Sequence, residues 1–151
     1  MHLDKYLFQV SPDYFEYEFF SHGSKGIIKK IVRFDEFTTS EGYGIFNLAL
    51  GDWNETKQAI DDAVVSNNGD TEKVLATVAF IALDFVDRFP NALLYIEGST
   101  PARTRKYQIA ISRHFEDIDE LFNIFGITKH GEINEFTKNV NYEGFLFKSK
   151  L

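Results

Sequence analysis

Cysteine is absent from the 151 residues. That single absence excludes a disulfide scaffold, a thiolate zinc site and a thiol nucleophile. No apolar run approaches the roughly 18–20 residues that a bilayer-spanning helix needs. Met1 to Val10 carries Asp4 and Lys5 and lacks an apolar h-region, so neither a membrane contact nor a signal peptide is expected, and the chain reads as cytoplasmic. Positive charge is the scarcer sign, 16 Lys+Arg against 23 Asp+Glu. A chain of net charge −7 does not coat duplex DNA with its whole surface, although a local basic site remains compatible with it. The three prolines and ten glycines are scattered. No linker, low-complexity tract or internal repeat interrupts the chain, so residues 1–151 read as one domain.

What the sequence does have is aromatic bulk: 16 Phe and 7 Tyr, several in alternating runs that suit core faces of strands. Asp13 to Phe20 alternates Phe15, Tyr17 and Phe19 against Glu16 and Glu18. After a glycine-punctuated turn, Ser21 to Gly26, the run Gly26 to Phe34 places Ile28, Val32 and Phe34 on a face interrupted by Lys30. The two runs form a hairpin whose loop reads as longer than two residues. Tyr43 to Leu50 is a third strand, and Ile60 to Val65 offers a fourth. Tyr14, Phe20 and Tyr43 fall on faces that also carry polar residues, which would suit a dimer surface in a homo-oligomer.

The periodicity then changes. Ser66-Asn67-Asn68-Gly69-Asp70 is turn and cap chemistry, and Asp70 or Thr71 starts a helix that Pro90 stops near Phe89. Lys73, Thr77, Asp84 and Arg88 form one narrow stripe on it, which reads as a thin wet face on a nearly enclosed helix. Ala92 to Glu97 is a short strand. Thr100 followed by Pro101 then starts a second helix running to about His114. An acidic segment with Glu116, Asp117, Asp119 and Glu120 precedes two closing strands, Asn123 to Thr128 and Tyr142 to Lys148. The order β-β-β-(β)-α-β-α-β-β predicts an α+β fold: one mostly antiparallel, curved sheet with two main helices packed on one side.

The strongest chemical signal lies at Gly98 to Tyr107. A strand ends, a glycine permits a tight turn, and a helix begins whose first amides carry partial positive charge. Ser99, Thr100 and Thr104 add hydroxyls, and Arg103, Arg105 and Lys106 add formal charge. Between Pro101 and His114 there are four basic residues and no acid. Such a contrast in an acidic chain points to a phosphate-bearing ligand, with RNA the macromolecule it would suit. Ser99, Thr100, Arg103, Arg105 and Tyr107 are the candidate binding residues. Arg103 shares an inward face with Tyr107, Ala110 and His114, and Arg105 points toward the side of Ile109, so the cations do not converge through the helix alone. The alternative is structural: Thr100 merely caps and Arg103 pairs with a carboxylate such as Glu97, in a non-catalytic, partner-binding or homo-oligomeric protein. The spacing GxxxxGK[ST] of a phosphate-binding loop is missing.

Lys25, Lys29, Lys30 and Arg33 form a second basic stretch that could flank the first and build a groove for single-stranded RNA. A catalytic variant would be a toxin-like or defence-related RNA-cleaving enzyme with His114 or a carboxylate as base. Asp61 and Asp62 are conceivable Mg²⁺ ligands for it, but the loop misses the calcium register, and His2, His22, His114 and His130 show no paired spacing. No metal or cofactor is therefore expected.

Ser66 to Asp70 followed by Lys73-Val74-Leu75-Ala76-Thr77-Val78-Ala79, with Gly98-Ser99-Thr100, Ala102 to Arg105 and Tyr107, resembles an uncharacterised family of short bacterial proteins, mainly of Bacteroidota. Lys25-Gly26 and Phe145 to Lys148 fit as well, so the resemblance spans nearly the whole chain. It implies a bacterial, cytoplasmic protein and brings no activity or site.

Overall fold

Alternation of large apolar residues with small or charged ones is what builds the strands. The computed structural model describes residues 4–40, 43–61 and 67–150, the side chains of 37–40 and 43 excepted. Along them run β1 (Gln9–Val10), β2 (Glu16–Gly23), β3 (Gly26–Ser40), β4 (Tyr43–Asn54), β5 (Ala59–Asp61), α1 (Thr71–Arg88), β6 (Leu93–Ile96), α2 (Pro101–Arg113), α3 (Phe115–Asp119), β7 (Phe122–Ile127), β8 (Ile133–Glu135) and β9 (Gly144–Ser149). The strand order is β1-β2-β3-β4-β6-β9-β7-β8, with β5 also on β4. The architecture is α+β with a mostly antiparallel nine-stranded sheet among the described residues. The pair β4–β6 is parallel, and the chain between these strands provides the crossover that parallel neighbours require, α1 included. The chain divides into two compact units, one from residues 1–35 and 48–88, the other from 36–47 and 89–151. Strands β3 and β4 contribute to both.

In the first unit, Tyr17, Phe19 and Ser21 of β2 are buried in alternation, opposite or beside Val32 and Lys30 of β3. Phe34 stacks on Phe85 of α1 with ring centroids 3.9 Å apart, and Tyr17 meets Phe34 edge-on. Burying rings of this size stabilises by about 1.5–3 kcal/mol each. The α1 stripe predicted to be wet is covered at Lys73, Thr77 and Asp84, and only Arg88 at its end is exposed. Thr77 is fully buried; its hydroxyl accepts from the Tyr6 N–H at 2.9 Å and donates to the Lys73 carbonyl at 2.7 Å. Lys73 Nζ lies 4.4 Å from the Tyr6 ring centre, and Asp84 accepts from the Tyr17 hydroxyl at 2.6 Å. The N-terminal residues thus lie across that stripe, and no residue from 73 to 86 is exposed.

The hairpin loop is also tighter than its composition implies. Pairing continues to Gly23↔Gly26, which leaves Ser24-Lys25 as a two-residue connection. Ser21 and His22 belong to β2 because Ser21 has buried polar partners, described below, that let it sit on a core face.

In the second unit, β9 is central, with Phe147 between Leu94 of β6 and Ile124 of β7. Phe145 is fully buried, and Ile111 of α2 is buried as well. Gly126 has no room for a side chain, because the Tyr142 ring stands 2.3 Å from where its Cβ would be. The acidic segment after His114 is a short helix, α3, and two strands that the pattern did not announce, β1 and β8, add one to each end of the path. The expected strand Ile60 to Val65 is observed as β5 to Asp61; residues 62–66 lie outside the described residues. No described helix is long and apolar enough to cross a membrane.

Candidate functional site

The passage from β6 into α2 is fixed by a small set of hydrogen bonds. Thr100 is the N-cap, extended at φ −138° and ψ 158°, and its side chain accepts from the Arg103 N–H at 3.3 Å. Its carbonyl accepts from Arg103 N–H at 3.1 Å and Thr104 N–H at 3.0 Å. Pro101 follows at the first helical position, where no N–H is needed. Thr104 is buried; its Oγ1 accepts from the Gly98 N–H at 3.0 Å and donates back to the Thr100 carbonyl at 3.3 Å. Gly98 is demanded by space, with no left-handed φ involved. A Cβ there would stand 2.4 Å from Thr104 N.

This accounting narrows the anion site expected at the helix start. Pro101 has no amide proton, and the Arg103 and Thr104 amides are engaged at Thr100, which leaves Ala102 outside these bonds. Arg103 Nη1 donates to Ser99 Oγ at 3.1 Å, so Ser99, Thr100 and Arg103 close on one another. Thr104 likewise serves the fold. Tyr107 is half-buried on the Arg103 face.

The opposite face of α2 is different. Ala102, Arg105, Lys106, Ile109 and Arg113 are exposed, Ile109 by 52%. Arg105 and Lys106 form no ion pair among the described residues, and the first turn of α2 contains no acid. His114 is the C-cap of α2, eleven residues past Arg103 and so about 16 Å along the axis. A phosphate held at the helix start is out of reach of its imidazole.

Residues 2–150 match a family of unknown function, DUF6934. The chain belongs to this family. No curated protein and no solved structure matches it. Membership in DUF6934 extends over nearly the whole chain, in line with the resemblance to an uncharacterised family, and carries no residue roles. The site therefore stands on its own geometry.

In this DUF6934 chain three of the four cations of the second basic stretch are paired with acids, and Lys25, exposed in the turn ahead of β3, forms no ion pair among the described residues, which narrows the expected groove. Lys29 Nζ pairs with Glu18 at 3.1 Å and lies over the Trp53 ring. Arg33 pairs with Glu16 at 3.0 Å. Lys30, only 4% exposed, is held by Asp52. The β2–β3 register sets Glu16 opposite Arg33 and Glu18 diagonal to Lys29, so acids that are distant in sequence meet the cations across the strands.

The Asn-Gly-Asp loop is structural. Asn68 is 2% exposed; it donates to Ser21 Oγ and the Gly26 carbonyl and accepts from the Lys25 N–H. Asp70 accepts from Tyr6 Oη at 2.6 Å and Ser21 Oγ at 2.5 Å. Burial alone would raise its pKa, but the Ser21 and Tyr6 hydrogen bonds outweigh that and hold the carboxyl below its ordinary value. Burial, with Glu97 as hydrogen-bond partner, pushes the Tyr95 phenol up to about 12. Asp61 lies in β5, and Asp62 falls outside the described residues. Among the described residues no group of three or more His, Asp or Glu could hold a metal ion.

The sequence pattern missed the Ser21–Asn68–Asp70–Tyr6 network because its members span 64 positions. It counted Lys106 only as charge. The signal for its exposure was its place on the face of Ala102 and Ile109, both of which are exposed.

Proposed function

We propose that this protein binds a phosphate-bearing ligand, RNA, at the first turns of α2. One observation carries the reading: Arg105 and Lys106 stand exposed and without an ion pair among the described residues, in a stretch from Gly98 to Phe115 that contains no acid. Every other feature serves them. Thr100 and Pro101 fix where the helix begins, and Gly98 lets the strand approach α2 closely enough to present it. Arg103, clamped on Ser99, keeps a positive charge beside the turn; Tyr107 stands on the same face. The reading is one of binding, with no covalent step.

Titration of ¹⁵N-labelled protein with inorganic phosphate and with a short single-stranded RNA tests it. Amide shifts confined to α2 and the turn that leads into it, weakened by salt and lost in Arg105→Ala with the remaining spectrum unchanged, are the expected result. Shifts that are absent, or that centre elsewhere, overturn it.

A second reading has its own observation. Phe20 and Ile27, 45% and 67% exposed, lie near one another on the outer face of the β2–β3 hairpin, which suits a non-catalytic, self-associating or partner-binding protein. Light scattering decides it: a dimer that Ile27→Lys converts to monomer supports this reading, and a monomer at all concentrations removes the self-associating form.

A further inference from the structure

We infer that the ligand lies as an extended single strand of RNA along the exposed face of α2, meeting more than one phosphate, and is not held as a lone phosphate at the helix start. This rests on the binding reading above and specifies its occupant. The helix start itself has little left to offer an anion. Its first position is proline, its next two engaged amides are bound at Thr100, and the Arg103 guanidinium is turned to Ser99. A nest for one phosphate needs several convergent donors, and here they are spent inside the fold.

The exposed face has the opposite character. Arg105 and Lys106 are neighbours on it, and Ile109 follows one turn on. From Arg105 to Ile109 the helix advances about 6 Å. One strand of a duplex presents a charge for on the order of every 3.4 Å of axis, so about two phosphates of a nucleic-acid strand fall within that length. Long side chains that carry their charge into solvent suit a flexible polyanion that can adjust to them; they do not enclose a small ligand. The apolar Ile109 beside them offers contact area to an unpaired base, which a single strand exposes and a duplex does not. The patch is also short, bounded by the acidic α3 beginning at Phe115, and the chain as a whole carries −7, so a duplex held by many phosphates finds too few partners.

Fluorescence anisotropy of a labelled ten-nucleotide oligouridylate, with uridine monophosphate, a ten-base-pair RNA duplex and deca-glutamate as competitors, tests the inference on the full chain. The ten-mer is expected to bind at low salt, with log K falling by about 1.4 or more per decade of salt, about 0.7 for each phosphate contacted. Arg105→Ala and Lys106→Ala should each remove about 0.7 of that slope, by the same counterion arithmetic. Ile109→Ser should weaken binding several-fold and leave the slope unchanged, and Lys29→Ala, on β3, should change nothing. If uridine monophosphate competes as well as the ten-mer, a single-phosphate site stands and the extended path is wrong. Equal competition by deca-glutamate or by the duplex overturns the assignment to single-stranded RNA. If nothing binds, this inference and the binding reading fall together.

Discussion

Two basic stretches, Lys29 to Arg33 on β3 and Arg103 to Arg113 on α2, have different fates. Each lacks acids within its own span. On β3 every strand neighbour is a partner at fixed spacing, and β2 and β4 bring Glu16, Glu18 and Asp52 against the three cations. On α2 Arg105 and Lys106 form no ion pair among the described residues and keep their charge for solvent. Charge density along a chain therefore says little about surface potential until the element type is known. A strand is read across, at its opposite number, and a helix is read around, at its exposed face.

That contrast can be broken in graded ways. The largest effect belongs to Lys30→Met, which takes the buried ammonium away from Asp52, whose side chain is 13% exposed. It should cost about 3 kcal/mol in urea unfolding, and the double variant Lys30→Met/Asp52→Leu should recover much of it. Full stability in the single variant would show that the pair is not what holds β3 to β4. Next comes Thr100→Ala, expected to lower stability by about 1 kcal/mol through loss of the cap, read as a lower thermal midpoint. Lys29→Ala follows, at well under about 1 kcal/mol because its pair with Glu18 is a third exposed, and with no change in RNA binding. Arg105→Ala should be the smallest of all in stability, within about 0.5 kcal/mol, while being the most damaging to binding. A large loss of stability there would assign Arg105 to the fold and erase the difference between the two stretches.

The same contrast explains what could be read from the sequence. Local signals survived folding: α1 begins at Thr71 and ends ahead of Pro90, and Thr100-Pro101 opens α2. Alternation placed Tyr17, Phe19 and Phe34 inside, and Lys30 did interrupt its apolar face as the spacing required. What failed was non-local. Ser21 looked like turn chemistry because its buried partners, Asn68 and Asp70, lie almost fifty residues on. The α1 stripe looked wet because the segment covering it, around Tyr6, shows no periodicity of its own. At the candidate site, the cap and the sidedness of Arg103 and Arg105 were legible from helical spacing. That the amides and Ser99 were already engaged was not, since it depends on the turn closing upon itself.

The hydrogen bond from Tyr6 to Thr77 joins positions 71 apart. During synthesis at roughly 5–20 residues per second, Tyr6 leaves the ribosome on the order of 4–14 s ahead of the threonine that will hold it. Within that interval Phe8, Phe15 and Phe19, which follow Tyr6 along the chain, emerge with no helix to cover them. Nascent chains of this protein are thus open to chaperone capture around Tyr6 until α1 arrives, and ribosome pausing ahead of the Thr77 codon would lengthen that exposure.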